Sequence, residues 1–221
     1  MRVRGFVLAL LVVAAAGTGC VSLKRSPQAR VFVLRSTAEP PASPAPDVSR
    51  GFVGVMPVRL PGHLDRPQLV TWVAPGELRI DEFLRWGEPL DAGFTRTLAE
   101  NLAALLPEHF VARSPWRSAV VPRCRVVTEL RVFGPHAGGE VRLDGRWVLL
   151  PARGEQPLAR GTASLVRGPL PSGAARVDPT AEVEAMSELV AELSREIAAA
   201  VRALPDVTKD APPDPSVRPR Q

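Results

Sequence analysis

The clearest pattern in this chain is an alternation of apolar and other residues over three consecutive segments. The first segment places five residues on one face: Cys124, Val126, Thr128, Leu130 and Val132. The second runs from Val141 to Leu149 and the third from Leu158 to Val166, with a Gly-rich loop, 134–139, after the first. Successive side chains of a β-strand point to opposite sides, so a period of two predicts half-buried strands. The sequence therefore predicts an antiparallel meander.

The opposite face of these predicted strands is rich in Arg, Asp and Glu. Antiparallel sheets commonly bury one face and expose the other to water. We therefore interpret this face as solvated, and a binding surface is the alternative. In the third segment, the small residues Ala159, Gly161 and Ala163 predict that another element, such as a helix, approaches closely.

Two further segments repeat their apolar residues at helical spacing. One begins near Pro89 and ends at Leu106, before Pro107, and the other follows the capping pair Asp178-Pro179 and reaches Leu204. An apolar stripe of this kind packs on a sheet within the same domain, or forms an intersubunit coiled coil as the alternative. With the strands, the helices predict one α/β domain over residues 31–204, built on a mixed β-sheet flanked by two long helices.

The remaining strands are predicted from short apolar runs bounded by turn residues. They are expected at Val31–Leu34, Val53–Leu60, Leu69–Val73, Leu78–Ile80 and Phe110–Ala112. The third and fourth runs flank Ala74-Pro75-Gly76-Glu77, which has Pro and Gly where a type II turn requires them. These two runs are therefore predicted to form a hairpin.

The stretch from Pro57 to Leu90 contains two segments with a distinctive composition. Residues 57–70 read P-V-x-L-P-x-x-L-D-R-P-Q-x-V, and residues 77–90 read E-L-x-x-x-E-F-x-R-W-x-E-P-L. These segments resemble the ABC-type transport auxiliary lipoprotein family, the PqiC-like or YmbA-like proteins. The chain departs from the family pattern at His63, where an aromatic residue is usual, and in its first strand, which lacks tyrosine.

The resemblance implies a fold similar to the TolB N-terminal domain. It also implies the auxiliary lipoprotein of an MCE-type lipid transport system, in which an ABC permease and ATPase energise movement of lipid through a periplasmic MCE-domain protein. A lipid-anchored periplasmic enzyme or a binding module of unknown substrate is the alternative. The sequence leaves open whether the protein works as a monomer or as a homo-oligomer.

The first nineteen residues have the layout of a secretory signal peptide. Arg2 and Arg4 precede an apolar run, and small residues lead to Cys20. This arrangement predicts a lipoprotein whose Cys20 is lipidated after removal of residues 1–19, although Gly17 stands where Leu is usual. An ordinary secretory signal is the alternative. Because Val21 rather than Asp follows Cys20, we expect lipid-anchored delivery to the periplasmic face of the outer membrane, with residues 20–30 as a tether.

Charge and cysteine content exclude several classes of function. Loss of Arg2 and Arg4 with the signal peptide lowers the formal net charge from +5 to +3. Positive and negative residues are interspersed, so no nucleic-acid partner is predicted. With Cys20 lipidated, Cys124 has no partner for an internal disulfide and is interpreted as a buried apolar residue rather than a reactive nucleophile.

The tail, residues 205–221, is too polar and Pro-rich to form a core and is expected to be disordered.

No enzyme, cofactor or metal site is predicted from the sequence. The motifs G-x-S-x-G, H-E-x-x-H, C-x-x-C, Walker A and G-x-G-x-x-G are absent. The three histidines, His63, His109 and His136, lie in predicted loops or connectors and share no ligand spacing. Transport energy would therefore come from a separate ATPase.

The predicted partner-docking residues lie in the two family segments. They are Leu64, Asp65, Arg66, Pro67, Gln68, Arg85, Trp86 and Glu88. Trp and Arg are enriched at protein interfaces, and a simple connector has no need of this combination of charged, amide and aromatic side chains. The structural alternative is that Trp86 fills a gap under the first helix, while Arg66 and Glu88 cap backbone groups and the stretch sets the helix angle.

Overall fold

The computed structural model describes residues 27–39, 51–116, 121–171 and 177–205. The signal peptide, Cys20, most of the tether and residues 206–221 lie outside these ranges. Within them, the strands are β1 (Arg30–Phe32), β2 (Phe52–Val55), β3 (Gln68–Ala74), β4 (Glu77–Trp86), β5 (Phe110–Arg113), β6 (Pro122–Pro135), β7 (Val141–Pro151) and β8 (Ala159–Arg167). The helices are α1 (Leu90–Leu105) and α2 (Pro179–Arg202).

The strands form two mixed sheets. The larger sheet has the order β5-β2-β6-β7-β8, in which β2 is parallel to β5 and β6 while β6, β7 and β8 are antiparallel. The smaller sheet has the order β1-β4-β3, with β1 parallel and β3 antiparallel to β4. The predicted α/β fold, the meander and the β3–β4 hairpin are confirmed. The strands are divided between two sheets rather than gathered in one, and the comparison with the TolB N-terminal domain stays a prediction.

Strand β2 is shorter than its sequence predicts, because it ends at Val55 rather than Leu60. Pro57 has no backbone N–H and cannot continue a ladder between two neighbouring strands. The chain nevertheless follows β6, since the backbone N–H groups of Met56 and Arg59 donate to Val126 and Thr128, both at 3.0 Å. This irregular passage leads to a single 3-10 turn at Gly62–Leu64.

Strand β4 is longer than predicted and extends to Trp86 rather than Ile80. Its pairing with β3 shifts register, since Leu69 pairs with Asp81 while the preceding Gln68 pairs with Arg85. A bulge of this kind interrupts the period of two from which a strand is recognised. The predicted turn is present, with Gly76 at φ 77°.

Both helices pack on the larger sheet and against each other. The carboxylate of Asp178 accepts a hydrogen bond from the Thr180 N–H at 3.1 Å and caps α2, as its sequence predicts. The apolar stripe of α2 is buried in the core of its own domain, which supports intradomain packing over the coiled-coil alternative. The stripe comprises Val183, Met186, Val190, Leu193, Ile197 and Val201. No helix in the described part of the chain is long and apolar enough to cross a membrane.

The close approach predicted at Gly161 is made by the indole ring of Trp147 on the neighbouring strand. A Cβ atom at Gly161 would lie 2.6 Å from two ring carbons of Trp147. The ring nitrogen of Trp147 donates to Glu196 of α2 at 3.0 Å. Trp147 therefore fills the space that the glycine leaves and links β7 and β8 to the helix.

An aromatic stack joins the two sheets at the end of β6. The Trp72 ring lies parallel to the ring of His136, with 5.0 Å between centroids, and His63 meets Trp72 edge-on at 5.3 Å. The Trp72 carbonyl also accepts a hydrogen bond from the Ala137 N–H at 2.7 Å. Burial lowers the pKa of His136, and nearby Arg142 adds to that effect. The histidines thus contribute to packing; His109 is also buried, at 5% exposed.

Replacing Gly161 with Ala is expected to destabilise the protein by about 1–3 kcal/mol, because the new methyl group overlaps the Trp147 ring. Gly62→Ala is the matched control, since no atom lies within 4 Å of the place that its new methyl group would occupy, and its effect is expected to stay within about 0.5 kcal/mol. Urea unfolding followed by tryptophan fluorescence measures both. Equal stability of the two variants would contradict the packing described for Trp147.

The lowered pKa of His136 predicts a loss of stability on acidification. The unfolded chain binds this proton near the usual pKa of about 6.5, whereas the folded protein binds it only at lower pH. The contribution of neutral His136 is therefore complete above about pH 6.5 and decreases as the pH falls through the folded pKa. His136→Gln is expected to lose less stability than the wild type over this range in urea unfolding. An unchanged pH dependence would assign the effect to other groups.

Candidate partner-docking site

The predicted docking residues from Leu64 to Gln68 form a tight turn that is attached to the end of β4. The Leu64 N–H donates to Pro61 at 2.9 Å and the Asp65 N–H to Gly62 at 3.2 Å. The Pro67 carbonyl then accepts from the Trp86 N–H at 2.7 Å. This bond brings together two segments that lie almost twenty residues apart in sequence.

Two of the predicted residues point into the core. Leu64 is 3% exposed and Trp86 is 9% exposed, and both face a narrow internal gap between the small sheet, β6 and the two helices. Their neighbours around this gap include Leu90, Phe133 and Met186. In this conformation, Leu64 and Trp86 therefore hold the turn in place, and a partner cannot reach their side chains.

Glu88 belongs to an ion-pair network at the start of α1. Its Oε1 accepts hydrogen bonds from Arg96 Nη2 at 2.6 Å and Nε at 3.1 Å. Arg96 also binds Glu100 at 3.0 Å and donates to the Leu34 carbonyl at 2.8 Å. The hydrogen bond to Glu88 raises the pKa of Arg96, against the opposing effect of burial. Arg96 thus fastens the chain after β1 to α1, and Glu88 pairs with Arg96 rather than facing the turn.

The other five predicted residues are exposed or half-buried, and we call them the docking surface. It consists of Asp65, Arg66, Pro67, Gln68 and Arg85. Gln68 lies directly opposite Arg85 in the β3–β4 ladder. The side-chain amide of Gln68 donates to the Glu82 carboxylate, and Arg85 Nε donates to the Glu82 carbonyl, both at 3.1 Å. The register shift in the hairpin is what sets Gln68 beside Arg85.

This surface offers hydrogen bonds and charge. It exposes the Asp65 carboxylate and the Arg85 guanidinium on a braced backbone. Arg66 is half-buried, and its Nε has no hydrogen-bond partner. Within the described ranges, no group of three or more His, Cys, Asp or Glu side chains could hold a metal ion. The chemistry is suited to recognising a protein surface.

Sequence reasoning missed two residues that complete this face. Glu82 orients both Gln68 and Arg85, and Phe83 beside it is 41% exposed. A prediction of β4 through Trp86 would have revealed Phe83, because Phe83 and Arg85 then alternate with the buried Leu84 and Trp86. Glu82 shares the parity of the buried residues, so the alternation gives no signal for it. The bulge concealed that alternation.

Comparison of the fold identifies related crystal structures. A structure of an uncharacterized protein has a TM-score of 0.62 and 20% identity and covers 79% of this chain and 99% of its own. Protein XCC0632 from Xanthomonas campestris, of family model DUF330, has a TM-score of 0.60 and 15% identity, covering 78% and 97% respectively. At these identities the likeness shows a shared fold.

Sequence comparison supplies the family. No curated protein matches the chain. The family model for the ABC-type transport auxiliary lipoprotein component matches residues 32–198, which is more than half of the chain and includes both sequence segments around the docking surface. The chain therefore belongs to the ABC-type transport auxiliary lipoprotein component family.

Proposed function

We propose that this protein is the anchored periplasmic component of an MCE-type ABC lipid transport system and that it docks the MCE-domain protein at the outer membrane. Membership of the ABC-type transport auxiliary lipoprotein component family is the observation that carries the proposal. The resemblance of residues 57–70 and 77–90 to PqiC-like proteins supports the choice of an MCE partner. The protein acts by binding and positioning rather than by catalysis.

The anchor in this proposal is the lipidated Cys20, which holds the domain at the periplasmic face of the outer membrane. The tether from Val21 to Arg30 spans on the order of 33 Å when fully extended, at about 3.3 Å per residue. A domain on so short a tether stays close to the membrane. It can therefore hold the outer end of a periplasmic lipid conduit at that membrane, while a separate permease and ATPase supply the energy.

The docking surface supplies the contact with the MCE partner. Its backbone is fixed by the Pro67–Trp86 hydrogen bond and by the burial of Leu64, so little conformational freedom is lost on binding. Asp65 and Arg85 provide charges of opposite sign on one rigid face. Such a pattern favours a partner with complementary charges in one orientation.

The double variant Asp65→Asn with Arg66→Gln tests this contact, because it removes two charges without changing net charge or core volume. We expect at least about a tenfold loss of affinity for the MCE protein, equivalent to about 1.4 kcal/mol. Stability is expected to change by no more than about 0.5 kcal/mol per substitution. Pull-down of the MCE protein and thermal unfolding of the purified variant measure the two effects.

The matched control is Glu129→Gln with Arg146→Gln, which neutralises an exposed ion pair of 2.7 Å on the larger sheet. This variant also leaves net charge unchanged and is expected to bind the MCE protein as the wild type does. Retained binding by the Asp65 and Arg66 variant would remove the docking assignment. If the variant loses binding only because it is also less stable, the 64–68 turn has a structural role and is not the docking site.

A further inference from the structure

Three exposed apolar side chains lie on the outer face of the small sheet. Val31 is 64% exposed, Val33 is 48% exposed and Phe83 is 41% exposed. Val31 pairs directly with Arg85, so that Val31, Arg85 and Phe83 share a face. A Cβ atom at Gly87 would lie 3.2 Å from a methyl carbon of Val31 and 3.0 Å from one of Val33. The two valines thus lie side by side over Gly87, and we call this group the β1–β4 patch.

The patch is exposed although the strand beneath it is firmly packed. Leu84 and Trp86, which alternate with Phe83 and Arg85 along β4, are buried in the core. The position of the outer face is therefore fixed by the fold. Single exposed apolar residues are ordinary, whereas adjacent ones on one rigid face indicate an interaction surface.

The course of the chain indicates which surface this face meets. β1 is the first described strand, and its first residue, Arg30, lies ten residues after Cys20. If Cys20 carries the lipid anchor, as the proposed function requires, the patch is the described apolar surface nearest to the membrane along the chain. A short tether holds the patch close to that membrane, so that even a weak second contact between them is favoured.

Basic residues precede the patch in sequence, and one lies within it. The tether includes Lys24 and Arg25 and has no Asp or Glu, while its last residue, Arg30, forms an ion pair with Asp178 at 3.3 Å. Arg85, in the patch itself, forms no ion pair with a described residue, and its Nε donates to the Glu82 carbonyl. Two acids precede Phe83 in sequence, and both carboxylates accept hydrogen bonds within the sheet: Glu82 from the Gln68 side chain at 3.1 Å and Asp81 from the Phe83 N–H at 3.0 Å. Basic side chains beside a membrane are attracted to anionic headgroups, and apolar side chains enter the interfacial region.

We propose that the β1–β4 patch rests on the anionic phospholipid leaflet that holds the Cys20 anchor. Val31, Val33 and Phe83 enter the interface, and the Arg85 guanidinium binds lipid phosphate. Anchor and patch together give the domain two points of attachment and fix its orientation. Arg85 also belongs to the docking surface and forms its membrane-facing edge in this proposal, so the contact leaves Asp65 and Gln68 beside the membrane for the MCE partner.

A single environment-sensitive dye on the lipidated full-length protein tests this contact. Phe83→Cys places the dye in the patch, and Val166→Cys, on β8 at 47% exposed, is the matched control. The natural thiols do not compete, since Cys20 is blocked by lipid and burial raises the pKa of Cys124 to about 11. The protein is reconstituted in vesicles of phosphatidylethanolamine and phosphatidylglycerol, without an MCE protein.

We expect a blue shift of dye emission and quenching by spin-labelled lipid at residue 83 but not at residue 166. Val33→Cys repeats the measurement should Phe83→Cys fail to fold. Arg85→Gln is expected to reduce the quenching on these vesicles, but not on vesicles of phosphatidylcholine alone.

Equal emission at both sites in protein that floats with the vesicles would overturn the patch assignment and leave the anchor and the MCE docking intact. Protein that does not float would overturn the anchor and, with it, this proposal. A blue shift at residue 83 in detergent that increases with protein concentration would assign the patch to a second copy of the chain instead.

Discussion

The structure depends on the attachment of the small sheet to the main core, in which Trp86 takes part through both its backbone and its side chain. Its backbone N–H binds the Pro67 carbonyl, and its side chain is buried beside Leu64, Leu90 and Met186. A two-stranded hairpin such as β3–β4 is marginal by itself, and a small sheet is stable only when it has an apolar face to bury. Here that cover comes from β6 and the helices, so the 64–68 turn, the end of β4 and the start of α1 are fixed by the same buried contacts.

The elements that could be predicted are those whose side-chain period is uninterrupted. β7, both helices and β6 as far as Leu130 have one buried face, and the sequence shows that face directly. In β6 a register shift between Leu130 and Val132 interrupts the period, so that Phe133 is buried where the pattern predicts Val132. Ala163 is the one residue of β8 that is buried. β4 could be predicted only in part, because its register shift opposite Gln68 breaks the alternation. The division into two sheets could not be predicted, since strand partners depend on contacts between distant residues that no local pattern records.

For the candidate site, the sequence grouped the correct segments but could not assign the direction of each side chain. Leu64 and Trp86 point inward, Asp65 and Arg85 point outward, and Glu88 turns toward Arg96. The 3-10 turn and the bulge determine these directions, and neither has a periodic signature. Trp86 lies as the structural alternative describes, whereas Glu88 pairs with Arg96 instead of capping a backbone group. The docking hypothesis is now confined to five exposed or half-exposed residues. Phe83 was missed for the same reason as the end of β4.

Some arginines of the larger sheet are bonded within that sheet, whereas Arg85 on the small sheet is largely uncommitted. On the larger sheet, Arg146 pairs with Glu129 and Arg125 donates to the Pro151 and Gly154 carbonyls. Such side chains would lose these bonds on meeting a partner, so the face is best interpreted as solvated. On the small sheet, Arg85 keeps most of its donors free beside exposed apolar groups. Burial of this face would give the free Arg85 donors hydrogen-bond partners and would also remove apolar area from water. We therefore expect it to bind a partner or a membrane more favourably than the outer face of the larger sheet.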